Sequence, residues 1–196
     1  MVIDVFHSSR NQYCVVRFAA ASLATGRLIL FCDDDVMPGP DYVASFVERY
    51  RAISAQSPCP VAICGCGHRF DPVAIAKAEA ADVWDLRAGL SFFDQDAAEC
   101  DVHFMHANSL MVARELVLAA ACQPMPDPSI RLVDDYWLSF VLSHHLDTRL
   151  IKIRIADQMR FIESAYDPEI AMHLQPAIRE ARFHMYRHHR LNGWPA

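Results

Sequence analysis

Arg27-Leu28-Ile29-Leu30-Phe31-Cys32-Asp33-Asp34-Asp35-Val36 is the stretch on which the reading of this chain turns. The apolar run up to Cys32 has the length and character of a strand buried on both faces. It stops in three consecutive carboxylates. In an open α/β sheet, ligands sit in the crevice beyond the carboxyl ends of the strands. Acids crowded there repel one another, and a cation offsets that cost. Hard divalent ions such as Mg²⁺ and Mn²⁺ prefer oxygen ligands, often carboxylates shared with a substrate's phosphates. The stretch therefore predicts a metal site that receives a phosphate-bearing ligand. The plainer alternative is a solvated acidic turn, helped by Pro38-Gly39-Pro40. On an extended backbone alternate side chains share a face, so Asp33 and Asp35 point together and Asp34 points away.

Upstream of this stretch, Val2–Phe6 reads as a strand and the alanine-rich Tyr13–Ala24 as a helix stopped by Thr25-Gly26. With Arg27–Cys32 they make a βαβ unit, whose right-handed crossover sets the two strands parallel. Downstream, Asp41 is placed to cap a helix over Tyr42–Ile53, with Val43, Phe46, Val47 and Tyr50 at helical spacing. Pro60–Cys64 reads as a strand, Val73–Leu86 as a helix and Cys100–Met105 as a strand. Ser109–Ala121 runs into a helix, and the proline-rich Gln123–Ser129 is a loop. A helix starts at Asp134 or Asp135, with Leu138, Val141, Leu142 and His145 on one face. Arg149–Ile155 is a strand and Pro176–Leu191 the last helix. This alternation predicts an α/β fold in a single domain over residues 1–196.

The bulk numbers exclude several classes. Apolar residues make up 53% of the 196-residue chain and charged residues 21%, a globular rather than disordered composition. A formal charge of −6 provides no basic field for nucleic acid. The seven cysteines are an odd number without repeated disulfide spacing. With no secretory leader visible, they read as reduced thiols of a cytoplasmic protein. No window approaches the ~18 uninterrupted apolar residues of a membrane span, which leaves peripheral membrane association open.

Four further clusters carry potential chemistry. In Val133-Asp134-Asp135-Tyr136-Trp137, a carboxylate at a helix start is stabilised as the anion by the macrodipole, and a neighbouring acid raises one pKa. Such a group suits a general base acting on a hydroxyl, or it simply caps the helix. His103-Phe-Met-His106-Ala107-Asn108-Ser109 sets polar residues in an apolar context, as ligand contacts or as ordinary buried groups. His184 and His188 stand four apart on one helix face, so one of them can complete a metal site at Asp35; a solvated basic face is the plainer reading. Cys64-Gly65-Cys66-Gly67-His68 lacks a second cysteine pair and reads as a strand end with buried thiols rather than a zinc site.

The segment from Arg17 through Gly26 and Asp33-Asp34-Asp35 to Pro38 resembles the GT-A glycosyltransferases, particularly family 2. In that family an arginine-bearing, alanine-rich helix precedes a hydrophobic strand that delivers the "DXD" acids, followed by a proline-containing turn and a helix. Asp134-Asp135-Tyr136-Trp137 is similar to the family's later "ED" helix start. The resemblance covers roughly Val2 to Ile155. It implies a three-layer α/β/α sandwich with a mostly parallel central sheet, here without the usual first strands. It also implies a divalent-metal-dependent transfer of a sugar from a nucleotide-diphospho-sugar donor to an acceptor hydroxyl, with inversion. On that basis Asp33 lies near the ribose and Asp35 holds Mn²⁺ or Mg²⁺; Asp33, on the same face, and His184, by its helical spacing, are the further candidate ligands. Asp135 is the catalytic base. Asp34, Arg17, Asn108, Ser109 and Asp134 belong to the substrate site. The alternatives are a GT-A-like domain without turnover and a haloacid-dehalogenase-like phosphatase, whose motif fits less well because Met37 stands where Thr or Val is usual.

Overall fold

The computed structural model describes residues 5, 7, 9–10, 13–70, 87–88, 99–125, 131–155 and 158–194. The expected strand Val2–Phe6, its parallel pairing and the expected helix Val73–Leu86 lie outside the described residues. In chain order the elements are α1 (Val16–Leu23), β1 (Leu28–Cys32), β2 (Val36–Pro38), α2 (Tyr42–Ser54), β3 (Val61–Cys64), β4 (Gly67–Phe70), β5 (Arg87–Ala88), β6 (Cys100–Asp101), β7 (Phe104–Met105) and β8 (Ser109–Ala113). They continue with α3 (Arg114–Ala121), α4 (Asp134–Phe140), β9 (Arg149–Lys152), β10 (Met159–Phe161) and α5 (Pro176–Leu191). A π turn (Val141–His145) extends α4, and two 3₁₀ turns (Glu163–Tyr166 and Met172–Leu174) bridge β10 and α5.

The central sheet has five strands in the order β1-β8-β3-β9-β6. The α/β class holds, but the sheet is mixed rather than mostly parallel. Among the described residues only β3 and β9 pair in parallel, whereas β8 runs antiparallel to both β1 and β3, and β6 antiparallel to β9. The cause is the position of β8. It returns between two strands that run the same way, so each of its pairings is antiparallel.

Alternation along the strands feeds two cores. On one face Ala62, Cys64, Leu110, Val112 and Leu150 pack with Phe18 and Ala21 of α1, Val117 of α3, Trp137 of α4 and Met185 of α5. On the other, Val61, Ile63, Met111 and Ile151 pack with Tyr42 and Phe46 of α2 and Met159 of β10. At roughly 25 cal/mol per Å² of buried apolar surface, this two-sided burial is the main term holding the sheet together. The β2–β10 ribbon pairs Val36 with Phe161 and Met159 with Pro38, which clamps the chain that leaves the acidic stretch.

Several expectations shift in the fold. Ser109–Ala113 is strand, not helix, because it lies between β1 and β3 and its backbone groups are used on both sides. The expected strand Cys100–Met105 is split, with β6 on the central sheet and β7 pairing β4. Asp41 occupies the N-cap of α2 without a side-chain capping hydrogen bond. Along α2, Phe46 is buried and Val47 and Tyr50 pack against the core as their spacing predicts, but Val43 is exposed and Tyr42 is buried in its stead. His145 is exposed although Leu138, Val141 and Leu142 are buried; the π turn inserts extra backbone and rotates the last turn. The expected helices over Tyr42–Ile53 and Pro176–Leu191 are present as α2 and α5. All seven cysteines are free thiols. No described helix is long and apolar enough to cross a membrane.

Candidate functional site

Strand β1 ends at Cys32 and helix α4 starts at Asp134, and both ends open on one cleft of about 890 Å³. Asp33, Asp34 and Asp35 line it from the strand side, and Asp134 and Asp135 from the helix side. Arg17 of α1 lies between the two groups. Its Nη1 is 3.1 Å from Asp33 Oδ1 and its Nε 3.0 Å from Asp134 Oδ2. Nη1 also donates to the Ala107 carbonyl (3.3 Å), and Nε donates to the Cys14 carbonyl (3.1 Å). One guanidinium therefore fastens three distant segments at the cleft floor. Burial opposes the Arg17 charge, but Asp134 and Asp33 outweigh it and raise its pKa.

The acids differ in their surroundings. Asp134 is 3% exposed, and burial raises its carboxyl to about 7 against the lowering effect of Arg17. Asp135 is raised to about 6, again chiefly by burial. Its Oδ1 accepts from the Tyr136 N–H at 3.0 Å, and its Oδ2 lies 3.6 Å from His106 Nδ1. Burial also raises Asp33 and Asp35, with neighbouring acids adding to the effect. Asp35 Oδ1 is buried and has no hydrogen-bond partner among the described residues. Asp34 is exposed at the rim; the expected strand alternation does not apply here, because β1 ends at Cys32 and Asp34–Asp35 form a turn in which the Val36 N–H donates to the Asp33 carbonyl (3.3 Å).

The expected site residues thus separate by role. Asp33, Asp34, Asp35 and Asp135 face the cleft with acceptor oxygens. Arg17, expected against a donor, spends its guanidinium on Asp33 and Asp134 and so positions the acids. Asp134 is the buried partner of that arginine. Asn108 lines the cleft. Ser109 does not: it is fully buried, its Oγ donating to Asn108 Oδ1 (2.9 Å) and accepting from the Cys66 N–H (3.1 Å). His184 is exposed on α5 and does not line the cleft. The residues of α5 that reach the cleft are Ile178 and Arg182, one turn apart, and His184 lies on another side of the helix.

His106, which the sequence sets within a polar cluster of possible ligand contacts, borders Asp135. Two contributors have no reading in the sequence: Arg182, which donates from Nη1 to the His173 carbonyl (3.0 Å), and the segment Phe161–His173, which forms one wall. Cys14 also lines the cleft, but burial, then Asp134, pushes its thiol up to about 12, which rules it out as a thiolate nucleophile near neutral pH.

Among the described residues, no group of three or more His, Cys, Asp and Glu side chains is arranged to hold a metal ion by itself. The unsatisfied Asp35 oxygen beside Asp33 nevertheless suits a hard cation that takes its remaining ligands from water and phosphate. No family model matches this chain, and no curated protein matches it. The functional reading therefore rests on the residues of the cleft.

Proposed function

We propose that the cleft is the active site of a GT-A-type glycosyltransferase, which binds a nucleotide-diphospho-sugar and passes its sugar to an acceptor hydroxyl with inversion. The observation that carries this reading is the convergence of strand-end and helix-start acids on one cleft, joined by Arg17. Strand-end carboxylates suit a metal-diphosphate, and a helix-start carboxylate with a raised pKa suits a general base. Asp35 and Asp33 would hold Mn²⁺ or Mg²⁺, which when bound offsets the negative charge of the diphosphate.

In the reaction the acceptor oxygen attacks the anomeric carbon and forms the new C–O bond. The bond from that carbon to the diphosphate oxygen breaks, and its electron pair leaves with the diphosphate. Asp135 takes the hydroxyl proton on its cleft-facing carboxylate, and His106 borders Oδ2 of that carboxylate. Asp34 at the rim and Asn108 further in are placed to hydrogen-bond the sugar or ribose.

The test is thermal unfolding with a panel of nucleoside diphosphate sugars, with and without Mn²⁺, for the wild type and Asp35→Asn. A matching donor at ~100 times its dissociation constant adds about 2.7 kcal/mol. A Mn²⁺-dependent shift that disappears in the variant is expected. A folded wild type that shifts with no donor would sink the transferase reading in favour of a domain without turnover.

A further inference from the structure

The cleft has two chemically different halves. The acids, Arg17 and His106 occupy one. The other is the segment leaving β10, and it starts beside Asp35: the Ile162 N–H donates to the Asp35 carbonyl at 2.9 Å. From there the lining is largely apolar, through Phe161, Ala165, Tyr166, Ile170, Met172 and, on α5, Ile178, with Ser164, His173 and Arg182 as its polar members. Three of these side chains stay open to solvent although they are large and apolar: Tyr166 at 56%, Ile170 at 64% and Met172 at 46%. Apolar surface gathered at the mouth of a polar cleft marks a place where ligand surface is removed from water. The wall is braced at its C-terminal end, since Arg182 Nη1 donates to the His173 carbonyl and Gln175 Nε2 donates to the Pro168 carbonyl at 2.8 Å.

From this division we infer that the acceptor is amphipathic: a hydroxyl-bearing head placed at Asp135, and an apolar alkyl or aryl body lying along the Tyr166–Ile170–Met172 wall. The inference rests on the transferase reading for the role of the head; the apolar contact is independent of it. A free sugar would leave the wall wet. A polar donor diphosphate has its complement at the acidic end, where a cation is accommodated, and none on the apolar part of the wall.

Methyl and hexyl glycosides of one sugar, both below micellar concentration, test this by calorimetric titration without donor. The pair differs only in methylene groups, each worth about 0.8 kcal/mol when fully buried, so even partial burial makes the hexyl compound at least tenfold tighter. The double variant Tyr166→Ser/Ile170→Ser should bring that ratio back toward one, while its unfolding temperature reports that it is folded. The same two glycosides then serve as acceptors with the donor found by thermal shift, where a lower KM for the hexyl compound is expected. Equal affinity of the wild type for both glycosides would overturn the inference. So would a double variant that loses affinity for the nucleoside diphosphate alone, because the wall would then be the base pocket. Donor binding with equal glycosides refutes the amphipathic acceptor and spares the transferase. Hexyl preference with no donor bound refutes the transferase and keeps the apolar ligand site.

Discussion

Asp135 shows how a single carboxylate acquires a role from its surroundings. Its backbone position at the start of α4 gives it the Tyr136 N–H at 3.0 Å, which stabilises the anion, while burial pushes the other way and leaves the carboxyl at about 6. Near neutral pH such a group is mostly ionised yet still basic enough to accept a proton in a transition state. Asp135→Asn keeps the size and the helix-start hydrogen bond but removes the base. We expect transfer to fall by roughly 10²–10⁴-fold, with the donor-induced thermal shift retained. Initial rates beside unfolding curves check both halves of that expectation. Asp134, next to it, has the same side chain in another setting, because it is buried at the edge of the cleft against Arg17. Spacing alone leaves the two interchangeable as base or cap, and the family resemblance implies Asp135 as the base; in the structure adjacent helix residues point in different directions, Asp134 to Arg17 and Asp135 toward His106.

Helix α1 acts as a tie between elements. Phe18 and Ala21 fix it to the sheet, and Arg17 on the neighbouring side reaches the end of β1 and the start of α4. Removing one partner of a buried ion pair leaves an uncompensated charge, which costs about 3 kcal/mol. Arg17→Ala should therefore destabilise the protein by about that much at pH above the Asp134 value of about 7, and by less in mild acid, where Asp134 takes up a proton. Denaturant unfolding at both pH values measures this; an equal loss at both would show that the pairing with Asp134 is not what the arginine supplies. The helices were the legible elements: α2 and α5 lie within a residue of their sequence-based bounds because proline placement and apolar spacing act locally. Strand β8 was not legible. Ser109-Leu-Met-Val-Ala carries no clear period, and its state is decided by the two strands beside it.

At the scale of the whole molecule, buried ionisable groups set opposing pH dependences. Asp134 and Asp135 have native pKa values above the unperturbed 3.8, so the native state binds more protons and their contribution to stability falls as pH rises from about 4 to 7. His189 is the reverse. It is fully buried, stacked on Phe140 at 4.2 Å, and burial, then His188 and His145, lowers it to about 3. The unfolded chain takes that proton first, so stability is lost as pH falls through about 6.5, by up to about 1.4 kcal/mol per pH unit. His189→Phe preserves the stack and deletes the titration. Its melting temperature should drop less than that of the wild type between about pH 7 and pH 5. An identical drop would show that His189 does not control acid sensitivity. The sequence by itself determined the α/β class, the long helices and the acid-tipped strand, because each is written in contiguous residues as hydrophobic period, proline placement or charge. Only the tertiary structure decided that β8 inserts between β1 and β3, that Ser109 and His184 stay out of the cleft, that Arg17 pairs with both Asp33 and Asp134, and that a largely apolar wall faces them. Those outcomes depend on which distant segments exclude water together, and burial and ion pairing between residues far apart in the chain leave no local mark.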